Sequence, residues 1–308
     1  MELDIEEKKW QLANSEFKQN VNDIFGELSL CAEKTKNPEF VIVGGQAGSG
    51  KSMLVAKEYQ NLVGNAIIID QDELRTKFPR EKYQQIHDMY TEREEFLILK
   101  PYISKVIVDI VDRATKEGYN IVLESALRSV SSFINTTQEV KVKGYNTKLS
   151  VIAVPEVEAN LSMLTRYCYY LEKYGECRRN TRLDHSAVEN VRKNIQRLDE
   201  LEIFDDIIIS KRGKNIDSLP IQSYSKKINK KMTPLQAYDM ERELAFDDTR
   251  ENFVIRYEHI KSVLTKHAEF EQLEKLEEIR NAFEKEKNRR EVMVHEWIHW
   301  LYKFDGCS

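Results

Sequence analysis

The residues Gly45-Gln46-Ala47-Gly48-Ser49-Gly50-Lys51-Ser52 fit the pattern G-x-x-x-x-G-K-[ST] and follow the apolar run Phe40-Val41-Ile42-Val43. The chemistry this combination serves is the binding of a nucleoside triphosphate. Its glycines let the backbone wrap inward without a Cβ clash, so that successive N–H groups point at the phosphates. Lys51 then reaches the β and γ oxygens, and the Ser52 hydroxyl can ligate Mg2+. Met53 to Asn61 reads as a helix, and its N-terminal dipole adds to the same anion site.

A phosphate loop alone does not separate a kinase from a nucleotide-operated switch, so the other strand ends decide. In an open parallel sheet the carboxyl ends of the strands line the ligand crevice. The second β-rich run ends Ile69-Asp70-Gln71-Asp72, and Asp72 is the candidate base for phosphoryl transfer to an alcohol. The competing reading has Asp70 capping the next helix or holding the Mg2+ shell, with Asp72 merely solvated. The third run ends Ile121-Val122-Leu123-Glu124. Glu124 is then a metal-holding acid or an acceptor for a sugar hydroxyl, unless it simply pairs with Arg128. Arg166 and the cluster Arg178-Arg179-Asn180-Thr181-Arg182 suit a lid that neutralises the transferred phosphoryl group.

A second motif competes for attention. His295-Glu296-Trp297-Ile298-His299 fits H-E-x-x-H, the helical zinc pair with a glutamate base. Nine residues follow His299, which leaves little room for a downstream third ligand. Trp297, Ile298 and Trp300 read as the apolar stripe of a packed helix, and packing is the expected role. His87, His185, His259 and His267 form no spaced set.

The elements that must position these groups alternate along the chain. A leading helix spans Ala13 to Glu33. Five β-rich runs follow: Phe40–Gly44, Asn65–Asp70, Tyr119–Glu124, Lys148–Val154 and Asp205–Ser210. Helical periodicity occupies Glu81–Glu117, Ser131–Lys143, Glu156–Tyr174 and Ser186–Ile203. This order implies an α/β fold, a parallel sheet of about five strands covered by helices. From about residue 221 the chain reads as a C-terminal helical extension, giving a division into 1–220 and 221–308. Phe270, Leu273, Leu276, Ile279 and Phe283 mark an amphipathic helix expected to pack within the chain. The basic stretch Lys226 to Lys231 reads as a solvated face.

The bulk numbers narrow the function classes. With 308 residues and a formal charge of −5 there is no global basic field, which argues against a dedicated nucleic-acid binder. No apolar run approaches the roughly 20 residues of a membrane span. Met1 to Glu7 is too acidic for a signal peptide, so a cytoplasmic location without membrane attachment is expected. Cys31, Cys168, Cys177 and Cys307 lack a C-x-x-C spacing and read as free thiols.

Several blocks in order make the chain resemble the zeta toxin family, the kinases of epsilon/zeta toxin-antitoxin systems. They are Gly44 to Ser52, Ile69-Asp70-Gln71-Asp72, Gly118 to Glu124, Gly144 to Lys148, Ala153-Val154-Pro155 and Arg166-Tyr167. The resemblance covers residues 15 to about 212 and implies a P-loop kinase-like fold. It implies transfer of the ATP γ-phosphate to the 3′-hydroxyl of UDP-N-acetylglucosamine, which starves cell-wall synthesis, with Mg2+ as the metal. By the same resemblance Asp72 is the catalytic base, Lys51 the loop lysine and Arg166 the first lid arginine. The second lid arginine falls on Arg179 or, counted from His185, on Arg178. Glu124, Arg128 and Thr136 fall on positions that hold the nucleotide sugar. An epsilon-type antitoxin that blocks the ATP entrance with a helix is the implied partner. Three positions depart from the pattern: Ala47 replaces a loop proline, Val108 a sugar-contacting glutamate, and Ala126 a threonine. The last two remove polar partners of the sugar, which leaves open a kinase for another sugar or a dinucleotide. A nucleotide-dependent interaction switch is the reading from another class.

Overall fold

Phe40 to Val43 are fully buried, although neighbouring side chains along a strand point to opposite faces. Both faces of their sheet must therefore be covered. In the computed structural model, β1 (Glu39–Gly44), β2 (Ile67–Ile69), β3 (Ile121–Ser125), β4 (Asn146–Ala153), β5 (Asp206–Lys211) and β6 (Ile221–Ser225) form one sheet. Its order is β2-β3-β1-β4-β5-β6, with β1 to β5 parallel and β6 antiparallel to β5. The structure describes residues 9–128, 130–177, 181, 183–213 and 218–305, and only the backbone at 132 and 293–305.

The helices are α1 (Asn14–Ser29), α2 (Lys51–Asn61), α3 (Gln71–Thr76), α4 (Arg80–Met89), α5 (Glu92–Glu117), α6 (Ser131–Val142), α7 (Glu156–Tyr174), α8 (Ala187–Glu200), α9 (Pro234–Lys266) and α10 (Phe270–Asp305). Phe17 and Val21 of α1, Val106 and Ile110 of α5 and Ile195 of α8 join one core with Phe40 and Ile42. Val41 and Val43 belong to a second core, with Leu54 and Val55 of α2. A third cluster unites Leu161 and Leu164 of α7, Ile260 and Leu264 of α9, and Leu276, Ile279 and Phe283 of α10. The heptad-spaced residues thus pack within the chain, apart from Phe270, which is exposed. Stacking of Phe253 on Phe283, with ring centroids 3.8 Å apart, closes the α9–α10 pair.

Two expectations need correction. The segment Glu81–Glu117 is two helices, because Thr91 and Glu94 form a capping box that restarts the helix after Tyr90. Residues 221–225 open the expected helical extension as an edge strand instead. Ile-Gln-Ser-Tyr-Ser carries no apolar run, and its first three residues are exposed, so the hydrophobic pattern does not betray it. The helices of the extension begin at Pro234, where Thr233 and Gln236 form a second capping box. Among the described residues no helix is long and apolar enough to cross a membrane.

The topology locates the crevice. From β1 the chain crosses to β2 beyond β3, returns to β3, and then moves to β4 on the other side of β1. The order reverses at β1, so the carboxyl end of β1 is the place where such sheets bind ligands.

Candidate functional site: a phosphate loop faced by strand-end carboxylates

At the end of β1 the chain turns through the loop into α2, whose N-cap is Gly50 in the left-handed conformation, φ 97°. Gly48 also has positive φ, 75°, and an added Cβ there would lie 2.0 Å from the Ala159 carbonyl oxygen on α7. No other residue type can hold the loop this close to α7. Lys51 folds back over the loop and donates from Nζ to the Gln46 carbonyl at 3.0 Å.

Strand register supplies the carboxylates. β3 lies beside β1 with Glu124 opposite Val43 and Ser125 opposite Gly44. At a strand spacing of about 4.8 Å this delivers the Glu124 side chain to the root of the loop, 3.9 Å from Lys51 Nζ. β2 lies beside β3 with Ile69 opposite Leu123, so Asp70 follows alongside Glu124. Burial draws the Lys51 ammonium below the ordinary lysine range, against the pull of Glu124, Asp72 and Asp70, while Arg166 pushes the same way as burial. Burial also raises Glu124, helped by Asp70 and Asp72 and opposed by Lys51 and Arg166. Burial thus disfavours the charge on each member of the pair, and phosphate oxygens beside the lysine would favour its ammonium form.

Asp70 caps α3, its Oδ1 accepting from the Asp72 backbone N–H at 2.8 Å. The cap throws Asp72 onto the first turn of α3, where it lines the cavity mouth with its side chain 71% exposed. Arg75 Nη2 lies 3.1 Å from Asp72 Oδ1, and Arg75 Nη1 lies 3.9 Å from the buried Glu95 carboxylate. Glu95 also accepts from the Tyr83 hydroxyl at 3.2 Å and lies 3.1 Å from His87 Nδ1. The cavity has a volume of about 2770 Å³, several times what one small ligand requires and enough for two substrates.

The remaining residues fall as follows. Ala47, Gly48, Gly50, Lys51 and Ser52 line the cavity, whereas Gln46 and Ser49 are buried beneath the loop and, with Gly45, shape it. Arg166 on α7 and Arg128 after β3 line the cavity, and Arg128 pairs with Asp184 at 3.4 Å rather than with Glu124. Thr136 is half-buried on α6, one turn beyond Phe133, and it is Phe133 that lines the wall. Val108 is 57% exposed on α5 and is not among the residues that line the cavity. Ala126 does line it. Arg178 and Arg179 lie outside the described residues, as do the side chains of His295, Glu296 and His299. Sequence reasoning missed Arg75, Glu95 and, just beyond the end of β5, Arg212. Arg212 was within reach of the strand-end rule that selects Asp72 and Glu124.

The donor set fits a magnesium nucleoside triphosphate. A buried lysine and a helix N-terminus call for phosphate, and Ser52 offers a hydroxyl. Among the described residues no group of three or more His, Cys, Asp or Glu is arranged to hold a metal ion. A small hard cation would therefore share Ser52 with phosphate oxygens and water.

A phosphate loop on the central strand of a parallel sheet, faced by carboxylates from β3 beside it and from the end of β2 beyond, defines a P-loop protein of the kinase-like class. The chain belongs to the zeta toxin family, whose model matches residues 22–222. It is 28% identical over 230 residues to Toxin zeta of Streptococcus pyogenes, covering 71% of this chain and 79% of that protein. Toxin PezT of Streptococcus pneumoniae serotype 4 is 29% identical over 204 residues, 66% of this chain and 79% of PezT. A solved structure from the PezAT chromosomal toxin-antitoxin system of Streptococcus pneumoniae has the same fold. Its TM-score is 0.70 at 24% identity, over 83% of this chain and 99% of that one.

Proposed function

We propose that this chain transfers the γ-phosphate of ATP to the 3′-hydroxyl of UDP-N-acetylglucosamine, inhibiting cell-wall synthesis, and that an epsilon-type antitoxin restrains it. The observation that carries the reading is Asp72. It stands at the mouth of a cavity large enough for two substrates, and its charge is felt by Lys51 in the phosphate loop.

In this reading the loop N–H groups and Lys51 bind the donor phosphates and fix the γ-phosphoryl group beside Asp72. Asp72 accepts the proton of the attacking hydroxyl as its oxygen bonds the γ-phosphorus and the bridging β–γ oxygen–phosphorus bond breaks, releasing ADP. Arg75 orients the Asp72 carboxylate, and Arg166 with Arg179 or Arg178 neutralises charge on the transferring group. Mg2+, held by Ser52, supplies further charge neutralisation when bound. Glu124 and Arg128, which line the cavity, are proposed to hold the nucleotide sugar, whereas Thr136 stands behind the wall that Phe133 forms. A second reading keeps the kinase and changes the acceptor, because Ala126 puts a methyl group on the wall where the family pattern has a hydroxyl.

The test is transfer of labelled γ-phosphate from Mg·ATP to a panel of UDP-sugars, dinucleotides and nucleosides, with Asp72→Ala alongside. The expected outcome is labelled UDP-N-acetylglucosamine and a loss of about 100-fold or more in kcat for the variant. Transfer to another acceptor discards the sugar. Near-normal transfer by Asp72→Ala discards the base.

A further inference from the structure

A cluster on the cavity wall has no part in the roles above. Glu158, Ser162 and Thr165 come from α7, Arg212 from just past β5, and Arg256 from α9. Arg256 Nη1 donates to both Glu158 oxygens at 2.7 Å, and its Nη2 reaches Ser162 Oγ at 3.0 Å and Thr165 Oγ1 at 3.3 Å. Arg212 Nη1 donates to Glu158 Oε1 at 2.6 Å and to Ser162 Oγ at 2.8 Å. The Glu158 side chain is only 12% exposed.

Two guanidiniums thus share one carboxylate, which leaves the cluster one positive charge in excess. A partly buried excess charge calls for a further counter-anion. The division of contacts says which arginine faces it. Arg256 is spent on the carboxylate and two hydroxyls. Arg212 is excluded from a two-pronged pair because Arg256 already spans both oxygens. Its Nε side lies beside the loop: an ideal Cβ on Gly50 would be 3.7 Å from Arg212 Nε. Gly50 is the N-cap of α2, where the N–H groups gather to receive an anion. Burial draws Arg212 below the ordinary arginine value, with Glu158 opposing and Arg256 adding to it, and a bound anion would relieve this.

We propose that Arg212 contacts the donor nucleoside triphosphate, and that Arg256 is a positioning residue on α9 that holds Arg212 in place by occupying Glu158. The proposal rests on a nucleoside triphosphate donor and is independent of the acceptor. Without Arg256, Glu158 would take Arg212 into a two-pronged pair and pull it off the loop. The C-terminal helices therefore set affinity for the donor although they carry no phosphate motif.

Calorimetric titration of the full chain with Mg·ATP, without acceptor, tests this. Arg212→Gln and Arg256→Gln should each weaken binding about tenfold, the range expected when a charge-assisted contact is lost. Arg256→Lys should fall between Arg256→Gln and the parent. The discriminating variant is the Arg256→Gln/Glu158→Gln double substitution. It frees Arg212 from the carboxylate and should regain most of the lost affinity, which a merely structural role for Arg256 would not allow. Wild-type affinity in Arg212→Gln overturns the proposal, and so does a double variant no better than Arg256→Gln alone. These shifts in a chain that phosphorylates no UDP-sugar would sink the acceptor reading and support this one. A chain that binds no ATP would sink both.

Discussion

The two sides of the cavity are built from different materials. On the donor side the chain offers backbone: a loop whose N–H groups face inward, a helix N-terminus, and glycines with φ of 75° and 97°. On the side proposed for the acceptor it offers side chains from α3 and α5, with Arg75 between exposed Asp72 and buried Glu95. Backbone geometry is rigid and indifferent to what lies beyond the phosphates. Side-chain geometry depends on how helices pack and can change residue by residue. One half of the site is thus fixed by a motif, and the other, in the proposed function, is free to select an acceptor.

The sharpest way to break this contrast is to alter the backbone side. Gly48→Ala forces a methyl group onto the Ala159 carbonyl at a positive φ, so the loop must move. It should raise the KM for ATP more than 100-fold and cost at least about 2 kcal/mol of stability by denaturant unfolding. Unchanged ATP binding would show that the loop tolerates remodelling.

Glu95→Gln tests the side-chain half. It weakens the hold on Arg75 and should raise the acceptor KM or lower kcat about tenfold, with the ATP KM within about twofold. A change confined to the ATP KM would erase the division.

The pH profile reads the two sides together. Lys51 is lowered from 10.5 by burial, so it loses its proton, and with it the phosphate contact, at a lower pH than a free lysine. The alkaline limb of kcat/KM for ATP should lie below 10.5, while the limb of kcat lies higher because bound phosphate favours the charged amine. A kcat/KM limb at or above the ordinary lysine value contradicts the buried pair. The smallest effect is expected of Val108→Glu: restoring the residue of the family pattern at an exposed position off the cavity should change the acceptor KM by no more than about twofold.

The same contrast explains what could be read before the structure. The parallel strands were legible as apolar runs, and the glycine pattern located the loop, because both follow from short-range backbone rules. Asp70, Asp72 and Glu124 followed from one topological rule about strand ends. Glu95 was not legible, since a buried carboxylate on α5 looks like any other acid in a charged helix until Tyr83, His87 and Arg75 surround it. Arg256 lies 205 positions after Lys51 on a helix of mixed charge, and only tertiary packing brings it to Glu158. The exposed place of Val108 was hidden for a related reason: counting along a family pattern does not say which face of a long helix meets the cavity. β6 was missed because an exposed edge strand needs no apolar face.

One contact links the loop to the order in which the chain is made. Tyr238, fully buried on α9, donates from its hydroxyl to Gln46 Oε1 at 3.4 Å, while Gln46 Nε2 donates to the Val154 carbonyl at 3.2 Å. The underside of the phosphate loop is therefore completed by a residue synthesised long after the loop itself. At about 5–20 residues per second, roughly 10–40 s separate the emergence of Ser52 from that of Tyr238. A ribosome carrying the unfinished chain holds a loop that lacks its last support. The loop thus reaches its final form only once α9, far downstream in the chain, has docked beneath it.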